Sequence, residues 1–179
     1  MEEYGEVVGP QTVRLERVLP GPLERVWEYL TDSEKRGKWL ASGELEPRVG
    51  GCVELKFLHS SLSPHVEETP ERFKKYECGA GFVGRVTRYE PPRLLSYTWA
   101  GEKEGEDSEV TFELSPQGEK VLLTITHERL ADPKTQADVA SGWHAHTGIL
   151  LDNLEGRTPR PFWSTWLAVE QEYKKRILS

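Results

Sequence analysis

The sequence predicts an α+β fold, and three observations carry that prediction. Four short stretches between residues 82 and 127 have strand character and are separated only by brief Pro- and Gly-rich turns, the pattern of an antiparallel meander. A long amphipathic helix is framed by Asp132-Pro133 at its start and Gly156 at its end. Two short helices interrupt the chain between its first two strands. Strands first and one long helix last is the order of an α+β chain, not of alternating βαβ units.

The elements follow in order. Residues 12–19 read as a strand with Val13 and Leu15 on one face, broken by Pro20-Gly21-Pro22. Leu23, Val26, Trp27 and Leu30 recur at i, i+3, i+4 and i+7, the apolar spacing of a helix. A second short helix is expected over 33–39, with Ser33 as its N-cap. After the turn at 47–51, Cys52–Phe57 alternates cleanly, with Val53, Leu55 and Phe57 on one face. Residues 59–81 are charged, carry two prolines and exceed any hairpin turn, so a flexible flap is expected, with one helical turn over Glu71–Tyr76. Strands are expected at 82–89, Leu94–Trp99, 109–114 and 121–127. On the long helix, Val139, Ala140, Trp143, His144, Thr147, Leu150, Leu151 and Leu154 fall within one arc of about 140°. A linker, 157–161, leads to a last helix near 162–178 with the stripe Phe162, Trp166, Val169, Tyr173 and Ile177. The organisation is therefore a tail (1–11), one domain (12–156), and a linker with a C-terminal helix (157–179). That stripe must be covered; packing on its own domain is expected, with a homodimer contact as the rival.

Composition excludes several classes of function. The 179 residues carry a net charge of −7, which argues against nucleic acid and against an anionic membrane as partners. No apolar run reaches the ~20 residues of a spanning helix. The acidic start, Met1-Glu2-Glu3-Tyr4, does not resemble a secretory signal. The two cysteines, Cys52 and Cys78, share no motif, so a disulfide framework and a structural zinc are not expected and a reducing cytoplasm is.

Several segments together resemble the family of homologues of the activator of the heat-shock protein 90 ATPase, within the START/Bet v 1-like (SRPBCC) superfamily. They are 23–32 with its Val26-Trp27 pair and terminal Thr31-Asp32, Lys38-Trp39-Leu40, and the turn Arg48-Val49-Gly50-Gly51. Gly84-Arg85-Val86, Pro91-Pro92-Arg93-Leu94, Tyr97-Thr98-Trp99 and Gly142-Trp143 complete the set, over roughly residues 12–156. The resemblance implies a helix-grip fold: a curved seven-stranded antiparallel sheet around a long C-terminal helix, with a cavity between them, plus here an extra terminal helix. The full activator has a separate N-terminal chaperone-binding domain; with about eleven residues ahead of the first strand, none is expected here.

The expected cavity has walls from each predicted element. Leu55 and Phe57, Phe82 and Val86, Tyr97 and Trp99, Phe112, and Ile125 and His127 are the inward strand residues. Trp143, His144 and Thr147 come from the long helix, and Trp39 from the loop after the second short helix. Large flat rings such as Trp39 and Trp99 suit an apolar or aromatic guest. His127, inward at a strand end, is either a satisfied core residue or a polar anchor for a ligand. His144 and His146, two apart on a helix, point about 200° apart and cannot share a metal ion; His146 is expected in solvent. His59 and His65 sit on the flap with Glu67 and Glu68, a solvated cluster. No metal, no cofactor and no nucleophile–base–orienter triad are expected.

The functional expectation is non-catalytic binding of a small apolar or aromatic molecule. One alternative is an enzyme of cyclase or hydrolase type using His127, which a buried pair between His127 and a serine or carboxylate would favour. The other is a chaperone-associated, stress-linked interaction protein.

Overall fold

The computed structural model describes residues 3–101 and 103–179. Its strands are β1 (Glu6–Gly9), β2 (Thr12–Pro20), β3 (Cys52–Phe57), β4 (Ala80–Glu90), β5 (Leu94–Trp99), β6 (Ser108–Gln117) and β7 (Lys120–Glu128). Its helices are α1 (Leu23–Thr31), α2 (Ser33–Gly37), α3 (Pro133–Leu154) and α4 (Phe162–Leu178). The strands form one curved antiparallel sheet in the order β1-β2-β7-β6-β5-β4-β3. The meander from β3 to β7 is closed on its far side by β2 and β1, and the sheet curls around α3. Among the described residues no helix is long and apolar enough to cross a membrane.

The first strand corrects the expectation of an N-terminal tail. Glu6–Gly9 pairs with β2 through Glu6↔Arg14 and Val7↔Val13. It buries almost nothing, so no alternation marks it in the sequence. Backbone pairing holds it, and the Gly5 amide just before it donates to the Tyr173 hydroxyl of α4 at 2.7 Å.

The helix starts show which side chains do the capping. Asp32, not Ser33, caps α2, accepting from the Lys35 amide at 2.9 Å. Ser33 Oγ instead accepts from the Gly43 amide at 2.8 Å. The expected helix to Trp39 stops at Gly37, because the chain turns there to seat Trp39 in the core, its indole donating to the Tyr29 carbonyl at 2.7 Å. Fully buried Arg36 fastens the following loop by donating to the carbonyls of Ala41, Gly43 and Glu54. Gly43 has φ +122° and would place a Cβ 2.0 Å from the Glu54 carbonyl oxygen, so only glycine fits there. On α3, Asp132 accepts from the Thr135 amide at 2.7 Å and Gly156 takes φ +71° just past the C-terminus, both as the sequence predicts.

Helix α4 folds back along α3. Phe162, Trp163, Trp166, Val169 and Tyr173 are all buried. The linker is fastened by Asp152, whose carboxylate accepts from the Arg157 and Arg160 guanidinia, each at 2.8 Å. Burial alone would push this carboxyl up, but the hydrogen bonds from Arg160 and Arg157 outweigh it and hold the pKa at about 2.

Residues 59–81 are not the loose flap that their charge suggests. Pro161 at the start of α4 offers no capping side chain. Glu67 takes that role from 96 residues away, accepting from the Trp163 and Ser164 amides at 2.9 Å each. Arg72 reaches Glu170 at 2.5 Å and Asp138 at 3.2 Å while lying over the rings of Phe73 and Trp166. Glu67 and Arg72 are thus spent on α3 and α4, while Lys74 pairs with Glu68 and Glu77 of the segment itself.

Truncation after Gly156 exposes this interface, and each large apolar side chain buried there contributes about 1.5–3 kcal/mol. The truncated chain is expected to melt well below the full chain at every protein concentration. An unchanged melting temperature at high dilution, together with a changed oligomeric state by light scattering, would mean that the stripe docks on a second copy.

Candidate functional site

Most of the sheet's inner face is closed by side chains packed on one another. Leu55, Val86, Tyr97, Phe112 and Ile125 are each at most 1% exposed and form core, not wall. Trp39 is equally buried, and Thr147 turns its hydroxyl back onto the Trp143 carbonyl of its own helix at 2.7 Å. The packing opens at the end of the sheet where β3, β5 and β7 finish and β4 and β6 begin. There a cleft of about 420 Å³ lies between the strand ends, α3 and the start of α4.

Five of the predicted residues meet on its wall: Phe57, Phe82, Trp99, His127 and Trp143. Val139, Gly142 and His146 of α3 join them, with Phe162, Trp163 and Trp166 of α4 and His59, Phe73 and Tyr76 of the covering segment. The rings touch one another: Phe82 and Trp99 are 4.9 Å apart between centroids, Trp99 and Trp143 5.3 Å, Phe73 and Trp163 4.9 Å, and His59 and Phe162 4.6 Å.

Two histidines depart from the sequence expectation, and α4 is the cause of both departures. His144 points away from the cleft to α4, its Nδ1 2.9 Å from the Tyr173 hydroxyl. His146, expected in solvent, is 6% exposed and stands on the cleft wall. Its Nδ1 lies 2.7 Å from the Trp39 carbonyl oxygen. A carbonyl only accepts, so Nδ1 carries the proton and Nε2 is left as an acceptor. The His59 ring makes no hydrogen bond among the described residues and lies against other rings.

His127 does have a serine partner, the feature that would favour catalysis, but the proton runs the wrong way. The Trp143 indole N–H donates to His127 Nδ1 at 3.0 Å, and an indole can only donate. The Nδ1 lone pair is therefore consumed, and Nε2 carries the ring proton. Nε2 then donates to Ser108 Oγ at 2.6 Å, and the serine passes its own proton toward the Trp99 carbonyl at 3.5 Å. A base must accept from its nucleophile, and His127 has no lone pair left with which to do so. Burial pushes its pKa down to about 3. Burial likewise lowers His146 to about 3 and His59 to about 4.

The profile of the family described as Activator of Hsp90 ATPase homolog 1-like protein matches residues 20–155, three quarters of the chain. The chain belongs to that family. A protein of Bordetella parapertussis, solved by NMR, is 45% identical over 99% of this chain and 92% of its own, with a TM-score of 0.83. CalU16 of Micromonospora echinospora shares the fold at 21% identity, covering 94% of this chain and 89% of its own with a TM-score of 0.69. No curated protein matches the chain. The family match ends at residue 155, so the α4 part of the cleft wall lies beyond it, whereas the Bordetella protein aligns across α4 as well.

The sequence places the basic–aromatic run 72–76 as a solvated face capping the cavity mouth, and the wall residues that it contributes had a weak signal. Phe73 and Tyr76 flank two lysines on the one helical turn of the covering segment, and Phe162-Trp163 follows Pro159-Arg160-Pro161. Aromatic residues beside charges and prolines are read first as surface.

Two outcomes follow for this family member. Because His127 and His146 stay neutral when folded but take up protons near pH 6.5 when unfolded, the unfolded state binds more protons below that pH. Their contribution is fully present above pH 6.5 and is lost as pH falls toward about 3, at up to about 1.4 kcal/mol per pH unit for each. Urea titrations at pH 7.5, 5.5 and 4.5 read this, and a flat profile would contradict it. Ser108→Ala strands the His127 N–H and is expected to cost about 1–3 kcal/mol of stability, with binding of an apolar dye unchanged. Loss of dye binding without loss of stability would place Ser108 in the functional machinery.

Proposed function

We propose that this chain binds one small aromatic or apolar molecule in the cleft and does not transform it. The observation that carries the reading is the wall itself: it is rich in aromatic rings, and its Ser–His pair is oriented against nucleophile activation. Its volume falls within the ~300–1,000 Å³ range of small-molecule sites. The enzyme alternative needs a base, and the histidine best placed to be one is committed to Trp143 and Ser108. The chaperone-associated alternative draws on the family's name.

Gly142 offers a direct test. It lies on the α3 wall, and a Cβ built there meets nothing within 4 Å. Gly142→Leu therefore pushes a side chain into the cleft while replacing a helix glycine, a gain of up to about 1 kcal/mol in helix propensity. The uncharged probe N-phenyl-1-naphthylamine is expected to bind the unaltered chain saturably, one per chain, with quenching of tryptophan emission. Gly142→Leu is expected to abolish that binding without lowering the melting temperature. Equal affinity in the variant would place the probe elsewhere and defeat the reading.

A further inference from the structure

The three histidines on the cleft wall differ in what they can offer a guest. His127 offers nothing, since both ring nitrogens are engaged by Trp143 and Ser108. His59 has no partner that fixes its tautomer, so it can donate or accept. His146 alone presents a polar group whose sense is set by the fold. The Trp39 carbonyl holds its Nδ1–H, no donor among the described residues meets Nε2, and the ring is 94% buried against Phe162, 4.6 Å away, and near His59, 5.7 Å away.

An acceptor inside an aromatic enclosure selects for a donor. Resting on the reading that the cleft is a binding site, we infer that its guest is an uncharged aromatic molecule bearing a hydroxyl group, which donates to Nε2 of His146 while its ring lies among Phe57, Phe162 and Trp143. The charge restriction has a physical basis. Burial is severe enough to keep the imidazoles neutral, and the same burial opposes a charged guest. Arg72, which lies over the wall rings of Phe73 and Trp166, is already spent on Glu170 and Asp138, and the Asp138 carboxylate, itself on the wall, repels an anionic guest.

The sign of one ligand comparison decides the matter. A hydroxyl that enters an apolar site without a partner loses its bonds to water and weakens binding; one that meets a waiting acceptor strengthens it. Three probes of similar shape are titrated by tryptophan quenching: naphthalene, 2-methoxynaphthalene and 2-naphthol. On the unaltered chain, 2-naphthol is expected to bind about three- to tenfold more tightly than 2-methoxynaphthalene, the usual worth of one net hydrogen bond. In His146→Asn, whose amide can still donate to the Trp39 carbonyl but which lacks Nε2, that preference is expected to vanish while naphthalene binds as before. Equal or weaker binding of 2-naphthol to the unaltered chain overturns the hydroxyl inference and leaves the binding site standing. A preference that survives in His146→Asn overturns the assignment to His146. Failure of all three probes overturns the binding site itself, and this inference with it. The comparison on the unaltered chain holds even where the variant does not fold.

Discussion

Burial of α3 from two sides is the constraint on which the rest of the structure depends. A helix lying on a sheet ordinarily keeps one face in water, and its polar residues collect there. Here the sheet takes one face and α4 takes much of the other, so that Ser141, His144, His146, Thr147 and Asp152 are all buried along with the apolar stripe. Each of these polar groups then needs a partner inside the protein. Ser141 and Thr147 turn back onto their own helix, His144 finds Tyr173, His146 finds the Trp39 carbonyl, and Asp152 gathers the arginines of the linker. These solutions fix the position of α4, and α4 in turn completes the cleft.

The same low-dielectric surroundings govern the chemistry of the cleft. A histidine near a serine invites a catalytic interpretation, yet hydrogen-bond direction is as decisive as distance. An indole N–H and a backbone carbonyl each have one possible role, and by bonding to His127 and His146 they dictate both tautomers. In one ring the lone pair is used up; in the other it remains. Two imidazoles on one wall thus serve different ends, the first holding strand ends β5, β6 and β7 to α3 and the second leaving an acceptor beside the aromatic rings.

The covering segment shows how charge can do structural work on a protein of net charge −7. Glu67 supplies the cap that the proline-led start of α4 lacks, and Arg72 joins α3 to α4 across the cleft mouth. Without α4 Glu67 would lose the amides it caps and Arg72 would keep only Asp138. Phe73 and Tyr76 reach the wall because the segment is pinned on either side of them.

Local signals in the sequence determined much of this protein. The clean alternation of Cys52–Phe57, the turn residues between the later strands, the Asp132-Pro133 start and the Gly156 stop act within a few residues of one another, and all were legible. So were Phe57, Phe82, Trp99, His127 and Trp143 as inward residues, because strand and helix periodicity assign a face. Periodicity does not say how far along that face the packing stays closed, and so Leu55, Val86, Tyr97, Phe112 and Ile125 looked like wall and are core. Strand β1 buries nothing and left no pattern. His144, His146, His59 and the aromatic residues at 73, 76, 162, 163 and 166 were decided only by tertiary structure. Their surroundings depend on where α4 docks, and that docking rests on contacts such as Glu67 to Trp163 and Gly5 to Tyr173, between residues 96 and 168 positions apart. A helical stripe records that it must be covered, but it carries no record of what covers it.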